Sequence, residues 1–322
     1  VIPCANGTDA LQVAMMGLGL KPGDEVITAD FTFAATVEVI ALLGLTPVLV
    51  DVLPDTFNID PDAIEKAITP NTKAIVPVHL FGQVADMDRI MDIAQKHNLF
   101  VIEDNAQGIG ATHTDAAGTK VKTGGIGHVG STSFFPSKNL GCYGDGGAIF
   151  TNDDDLAHTI RGIVNHGMYK RYHHDVVGVN SRLDSLQAVV LNEKLKLLDF
   201  YNERRKWAAI RYSQLLKDHP KIQTPVTLGD CDSHVYHQYT LKIVGADRDA
   251  LVQYLQQNDI PCGVYYPIPL HLQKAYVDTR YKEEDFTVTN QLIDEVISLP
   301  MHSELDEDQI QFICKTIEAF LD

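Results

Sequence analysis

A chain of 322 residues with 45% hydrophobic content can bury a large core with a smaller companion and is too apolar to stay disordered. Its formal charge of −17, from 43 acidic against 26 basic residues, repels nucleic acid and anionic membranes, and it carries neither an apolar run of bilayer length nor a charged leader ahead of an apolar segment. The five cysteines (Cys4, Cys142, Cys231, Cys262, Cys314) lie scattered without a C-x-x-C pair, which argues against a disulfide framework or a zinc site and predicts reduced thiols in the cytoplasm.

In chain order, Val1–Ala5 reads as a short strand running straight into a glycine turn, an abrupt start that predicts a segment ahead of Val1. From Leu11 to Ile149 helical periods alternate with short β-branched runs, the pattern of an α/β fold around a mostly parallel sheet. Strands are predicted at Glu25–Thr28, Thr46–Val50, Lys73–Pro77, Phe100–Glu103, Ser131–Phe135 and Gly147–Thr151, and helices at Asp9–Leu18, Ala34–Leu43, Asp60–Ala67 and Met87–His97. Asp60-Pro61 supplies a capping acid followed by proline at the first helical position. Past Arg182 the texture changes. Asp184–Leu216 is one long amphipathic stretch, Asp218–Asp232 is rich in turn residues, and the remainder holds a strand at Val235–Val244 and helices near Arg248–Asn258 and Asp306–Leu321. The prediction is a large domain over residues 1–198 and a small α+β domain over residues 199–322.

Lys138 lies in the run Ser131-Thr-Ser-Phe-Phe-Pro-Ser-Lys138-Asn-Leu140. An amine attacks a carbonyl only when unprotonated, and burial among Phe134, Phe135 and Leu140 would lower its pKa; a surface lysine on a loop is the alternative. Asn6-Gly7-Thr8-Asp9 puts a glycine and a hydroxyl at a strand-to-helix junction, where N–H groups and the positive helix end can hold a phosphate or merely cap the helix. Asp104 ends an apolar strand, where open α/β sheets build ligand sites, with an N-cap as the alternative. A phosphate turn, a strand-end carboxylate and a lysine on a later loop together specify pyridoxal 5′-phosphate. That cofactor needs a phosphate cradle, an anion opposite its pyridine nitrogen and an amine for its aldehyde.

These segments resemble the sugar aminotransferases of the DegT/DnrJ/EryC1/StrS family, fold-type I pyridoxal-phosphate enzymes, from Ala5 to about Pro300. The motifs that carry the resemblance are Asn6-Gly-Thr-Asp-Ala-Leu11, Pro22-Gly-Asp-Glu-Val-Ile27, Asp30-Phe-Thr-Phe33, Val78-His-Leu-Phe-Gly82, Glu103-Asp104, Ser133 to Lys138, Gly144-Asp-Gly-Gly147 and Gly178-Val-Asn-Ser-Arg182. The resemblance implies a large domain with a mainly parallel seven-stranded sheet, a small C-terminal α+β domain, and a homodimer with shared active sites. It implies that Gly7, Thr8 and Ser133 hold the phosphate and that Phe33 stacks on the pyridine ring, with core packing as its alternative. Asp104 would pair with the ring nitrogen, Gln107 would bond the phenolic oxygen, Lys138 would form the Schiff base, and Asn180 would reach the phosphate held by a second copy.

The resemblance further implies L-glutamate as amino donor and a nucleotide-linked keto-sugar as acceptor. Tyr265-Tyr-Pro-Ile-Pro-Leu-His-Leu-Gln273 is similar to the branch that aminates C3 of 3-keto sugars, including a UDP-linked 3-oxo-N-acetyl-hexuronate destined for surface polysaccharides such as O-antigen. Keto-deoxysugars linked to dTDP or GDP are the alternative acceptors. A uronate carboxylate calls for a planar cationic fork, and Arg182 is the candidate, a structural ion pair being its alternative. Tyr143, His166, Tyr266 and His271 are candidates for the sugar hydroxyls, or else packing and surface residues. The dehydratase branch of the family replaces the lysine with histidine, so Lys138 points to amination; a non-catalytic sensor on the same fold is the remaining alternative.

Three other signals carry no function. Gly125-Ile-Gly-His-Val-Gly130 fits G-x-G-x-x-G, but a strand follows it where a dinucleotide fingerprint must open a helix. His173-His174-Asp175 lacks convergent partners for a metal, and Asp153-Asp-Asp155 reads as an N-cap with an exposed helix start.

Overall fold

Short β-branched runs separated by amphipathic helices close into one seven-stranded sheet in the computed structural model, which describes residues 1–322 apart from the side chain of Cys231. Its strands are β1 (Ile2–Cys4), β2 (Glu25–Ala29), β3 (Thr46–Val50), β4 (Thr72–Val76) and β5 (Phe100–Asp104) and, after a hairpin of β6 (Thr112–Thr114) and β7 (Lys120–Lys122), β8 (Val129–Ser133) and β9 (Gly147–Phe150). The spatial order is β1-β9-β8-β5-β4-β2-β3. Strands β3, β2, β4, β5 and β8 run parallel, whereas β9 is antiparallel to both β8 and β1.

Because side chains alternate across a strand, neighbouring residues feed two separate cores. Ile27, Ile75 and Val101 pack with Ile64 of α3 (Pro61–Ala67) and with Met87 and Ile90 of α4 (Met87–His97). Val26, Ala74 and Ile102 pack on the opposite face with Leu11 of α1 (Gly7–Gly17), Ile40 of α2 (Ala35–Leu42) and Ile160 of α5 (Asp154–Ile163). Side-chain caps start four of these helices: Asn6 on α1, Asp60 ahead of Pro61 on α3, Asp86 on α4 and Asp153 on α5.

A hairpin of β10 (Met168–Lys170) and β11 (His173–His174) precedes the later helices. The long stretch expected over Asp184–Leu216 is in fact two helices, α6 (Ser185–Leu195) and α7 (Leu198–Leu216). No glycine or proline marks the break. It directs Leu198 into a cluster with Phe134, Leu140 and Leu191, while Tyr212 and Leu216 further along α7 join a different core. That second core is built on the antiparallel sheet of β12 (Ile222–Gln223), β13 (Tyr239–Ile243) and β14 (Val296–Leu299). Helices α8 (Arg248–Gln257) and α10 (Glu307–Leu321) pack into it, and α9 (Thr287–Glu295) leads into β14. The strand expected from Val235 starts only at Tyr239, because Val235 inserts into the core beneath β2 and β4 instead.

The turn at Gly125–His128 is fixed from below by Glu103. This fully buried carboxylate accepts the N–H groups of Gly124, Ile126 and Gly127, each at 2.7 Å. His79 donates Nε2–H to it at 2.9 Å while its Nδ1 accepts from the N–H of Ala85. Burial alone would raise the pKa of Glu103, but His79 and the loop N–H groups more than offset that and hold it below the ordinary 4.5. Replacing Glu103 by Ala strands these donors and should cost about 3–5 kcal/mol in urea unfolding. A folded-state pKa below the unfolded one makes the contribution complete above pH 4.5 and lost as pH falls beneath it. A gap between wild type and variant that does not shrink below pH 4.5 rules this account out.

Candidate active site

The carboxyl ends of β2, β4, β5 and β8 and the first turn of α1 open onto a cavity of about 870 Å³, the crevice where parallel sheets place ligands. Asn6 caps α1 by accepting the N–H of Asp9 at 2.7 Å, while the N–H groups of Gly7 and Thr8 find no acceptor among the described residues. A Cβ on Gly7 would lie 2.7 Å from Cβ of Ser133, so only glycine lets the helix start and the end of β8 approach this closely. The result is a cradle of unused donors at a positive helix end.

Asp104 ends β5 with its carboxylate held from two sides. Oδ2 accepts the hydroxyl of Thr36 at 2.7 Å and Oδ1 accepts the N–H of Ala106 at 3.1 Å. Thr36, fully buried on α2, escaped the sequence reading; a hydroxyl inside an otherwise apolar helix is the one signal it leaves. Lys138 sits in the turn after β8, its N–H donating to the carbonyl of Phe135 at 2.9 Å. Phe134 and Leu140 are buried beneath this turn, but Phe135 is 51% exposed, so the enclosure of the amine comes from the cavity and not from all three expected neighbours. Burial pushes the Lys138 pKa below the ordinary lysine value, with the charge of Asp104 working in the opposite direction.

Across the cavity, Gln107 accepts the N–H of Phe81 at 2.6 Å and donates Nε2–H to the phenol of Tyr266 at 3.2 Å. Tyr266 packs its ring against Phe31 and Phe81 at 5.9 and 6.5 Å, and Phe33 stands half open to the cavity beside it. His237 also lines the cavity and was not singled out in the sequence. Its imidazole is buried with Nδ1 unpartnered, and burial, then the cations of Lys138 and Arg205, hold its pKa well below the ordinary value.

A glycine cradle at a helix start, a fixed carboxylate and a desolvated amine fit pyridoxal 5′-phosphate. Among the described residues no three His, Cys, Asp or Glu side chains converge as a metal would require. The sequence profile of the DegT/DnrJ/EryC1/StrS aminotransferase family matches residues 1–318. The chain belongs to this family. It is 49% identical over 98% of its length to the UDP-2-acetamido-2-deoxy-3-oxo-D-glucuronate aminotransferase of Pseudomonas aeruginosa, covering 85% of that protein. A family aminotransferase from Brucella abortus superposes with a TM-score of 0.93 at 44% identity, over 99% of this chain and 85% of the other. NtdA from Bacillus subtilis, solved with bound cofactor PMP, gives 0.90 at 34% identity over 99% and 72%. The architecture is that of fold-type I transferases, and the cofactor is pyridoxal 5′-phosphate.

The cavity thus gathers Gly7, Thr8, Phe33, Asp104, Gln107, Ser133, Lys138 and Tyr266. The other sequence candidates lie elsewhere on the chain. Tyr143, 80% exposed, His166, Asn180 and Arg182 stand on the outer surface, with Asn180 bridged to Asn165. His271, expected at the sugar, is buried outside the cavity wall: the short helical turn at Leu270–Leu272 points its ring inward onto Asp30 and Phe286.

Gly7→Ala should disrupt the cradle without touching any ionisable group. We expect cofactor retention on gel filtration, read from visible absorbance, to fall at least about tenfold relative to wild type. Full retention would show that the close approach of α1 to Ser133 is mere packing.

Proposed function

We propose that the protein is a cytoplasmic homodimer that moves the amino group of L-glutamate to C3 of a UDP-linked 3-oxo-N-acetyl-hexuronate for a surface polysaccharide such as O-antigen. The observation that carries the reading is a single cavity lined by both a desolvated lysine and a fixed carboxylate. The choice of acceptor is supported by the 49% identity to the Pseudomonas aeruginosa enzyme. The unpaired thiols of Cys4, Cys142, Cys262 and Cys314 suit a reducing compartment.

Gly7, Thr8 and Ser133 would hold the phosphate, Phe33 would cover one face of the ring, Gln107 would reach its hydroxyl and Asp104 its nitrogen. Bound there, pyridoxal phosphate supplies the aldehyde that takes up the amino group and the electron-withdrawing ring that spreads charge from the reacting carbon. Asp104, kept in place by Thr36 and Ala106, would favour a proton on the ring nitrogen, each pKa unit of that effect being worth about 1.4 kcal/mol. Lys138 Nζ, its pKa lowered by burial, would be easier to deprotonate than an ordinary lysine, and it would be placed to take a proton from the donor carbon and return it as an acid.

A second copy would complete each site. Asn180 and Arg182 are exposed beside Val177, Leu186 and Val189, which are 84%, 80% and 65% exposed, an apolar surface of the kind that marks an interface. Arg182 makes no ion pair among the described residues, which leaves its guanidinium available to a uronate carboxylate.

The direct test supplies the 3-oxo-hexuronate nucleotide with glutamate and follows 2-oxoglutarate, with dTDP- and GDP-linked keto-deoxysugars as competitors. Lys138→Ala should abolish turnover, and Asp104→Ala should lower it by about 100-fold or more; a near-wild-type Asp104→Ala rate contradicts the assignment. Shared sites have their own signature. Lys138→Ala and Asn180→Ala homodimers should each be poorly active, yet mixing and re-associating them should restore about a quarter of wild-type activity, because half the dimers are mixed and each has one intact site. Mixed dimers without activity would remove Asn180 from the site.

A further inference from the structure

Asp30 and His271 are 241 residues apart in sequence and meet with side chains 0% and 4% exposed. Around them lie Val37, Leu49, Leu270 and Phe286. The imidazole Nδ1–H donates to Oδ2 of Asp30 at 2.7 Å, the His271 N–H donates to Oδ1 at 2.7 Å, and the Leu270 N–H donates to the Asp30 carbonyl at 3.3 Å. The ring stacks on Phe286 at a centroid distance of 4.3 Å, leaving Nε2 buried without a partner.

An ionisable couple buried among apolar side chains adds little stability over well-packed hydrophobic residues of the same volume, but it can fix one arrangement against its alternatives. What this couple fixes is how two cavity-lining segments meet. Asp30 directly follows β2 and precedes Thr32 and Phe33, and His271 follows Val264–Pro267; both segments line the cavity and meet where Tyr266 lies 5.9 Å from Phe31 and 6.4 Å from Phe33. Ahead of His271, Val264 and Tyr266 pack against the core and Tyr266 bonds Gln107, while Tyr265 and Ile268 are exposed.

We infer that Asp30 and His271 are positioning residues that seat the Val264–Pro267 segment at the cavity, and so set the affinity for the sugar portion of the acceptor. The inference rests on the nucleotide-sugar reading above. Two substitutions separate positioning from bulk stability: His271→Leu keeps the volume but removes the donor, and His271→Asn places an amide N–H near the former Nδ1. Binding of UDP-N-acetylglucosamine and dTDP-glucose is measured by calorimetry on the purified protein, beside melting temperature and glutamate-driven bleaching of the cofactor.

We expect His271→Leu to weaken nucleotide-sugar binding about tenfold and raise the acceptor KM in step, with His271→Asn within about twofold of wild type and glutamate bleaching unchanged in both. Wild-type affinity in His271→Leu overturns the inference. So does equal weakening in both variants, or a loss of glutamate bleaching that follows the melting temperature. A wild-type protein that neither binds nor aminates any nucleotide sugar overturns the acceptor reading and this inference with it, whereas normal transfer with unaffected variants removes the clasp alone.

Discussion

The chain withdraws the Lys138 amine from water, and that withdrawal constrains the charged groups nearby. A carboxylate close to an ammonium favours the charged amine, so Asp104 opposes the shift that burial produces. The structure limits the conflict by giving Asp104 other partners. Its two oxygens are occupied by the Thr36 hydroxyl and the Ala106 N–H, uncharged donors that hold the carboxylate in place without requiring Lys138 as counter-ion. The same logic recurs one residue earlier, where the Glu103 charge is taken up by His79 and three backbone N–H groups. His237 completes the pattern: enclosed near two cations, it stays neutral and adds no competing charge.

Much of this was legible in the chain because it is local. Thr46–Val50 and Met87–His97 have the predicted bounds, since β-branched runs and a strongly amphipathic period need no tertiary help. Gly7, Thr8, Asp104 and Lys138 sit at strand-to-loop junctions, and a parallel sheet brings such junctions to one edge, so their meeting in one cavity follows from the topology. What stayed hidden depends on contacts between distant segments. The break between α6 and α7 is set by where Leu198 packs, and the run from Thr287 to Leu299 passes from helix to strand without a glycine or proline to mark it. Thr36 and His237 look like ordinary helix and strand residues until the cavity forms around them. His271 misled for the opposite reason: it shares a motif with Tyr266, but the turn at Leu270–Leu272 sends the two rings to different sides of the wall.

A second void of about 590 Å³, lined by Thr72, Lys73, His97, Phe100 and His128 among others, lies where β4 and β5 begin. Size alone does not make it a rival. At that end of the sheet the helices terminate, so α4 presents its carbonyl end, capped by Asn98 in a left-handed conformation, and offers no cluster of unused N–H donors. The directional chemistry of a parallel βα repeat therefore distinguishes the two openings before any comparison with relatives does.

The proposed dimer would answer an electrostatic deficit in the main cavity. Among the side chains lining the main cavity, Lys138 is the sole Lys or Arg, facing Asp9, Glu38, Asp104 and Asp145, within a molecule of formal charge −17. The proposed ligands bring a cofactor phosphate, a diphosphate and a uronate carboxylate, and the N–H groups of Gly7 and Thr8 can answer only one of them. Anions in such a site need cations held close, because bulk charge is screened within about 10 Å while local pairs are not. Arg182 is exposed and makes no ion pair among the described residues, two residues from Asn180 and near the exposed Val176 and Val177. A second copy docked on that surface would supply the missing positive charge, so dimer formation and substrate recognition would be one requirement rather than two.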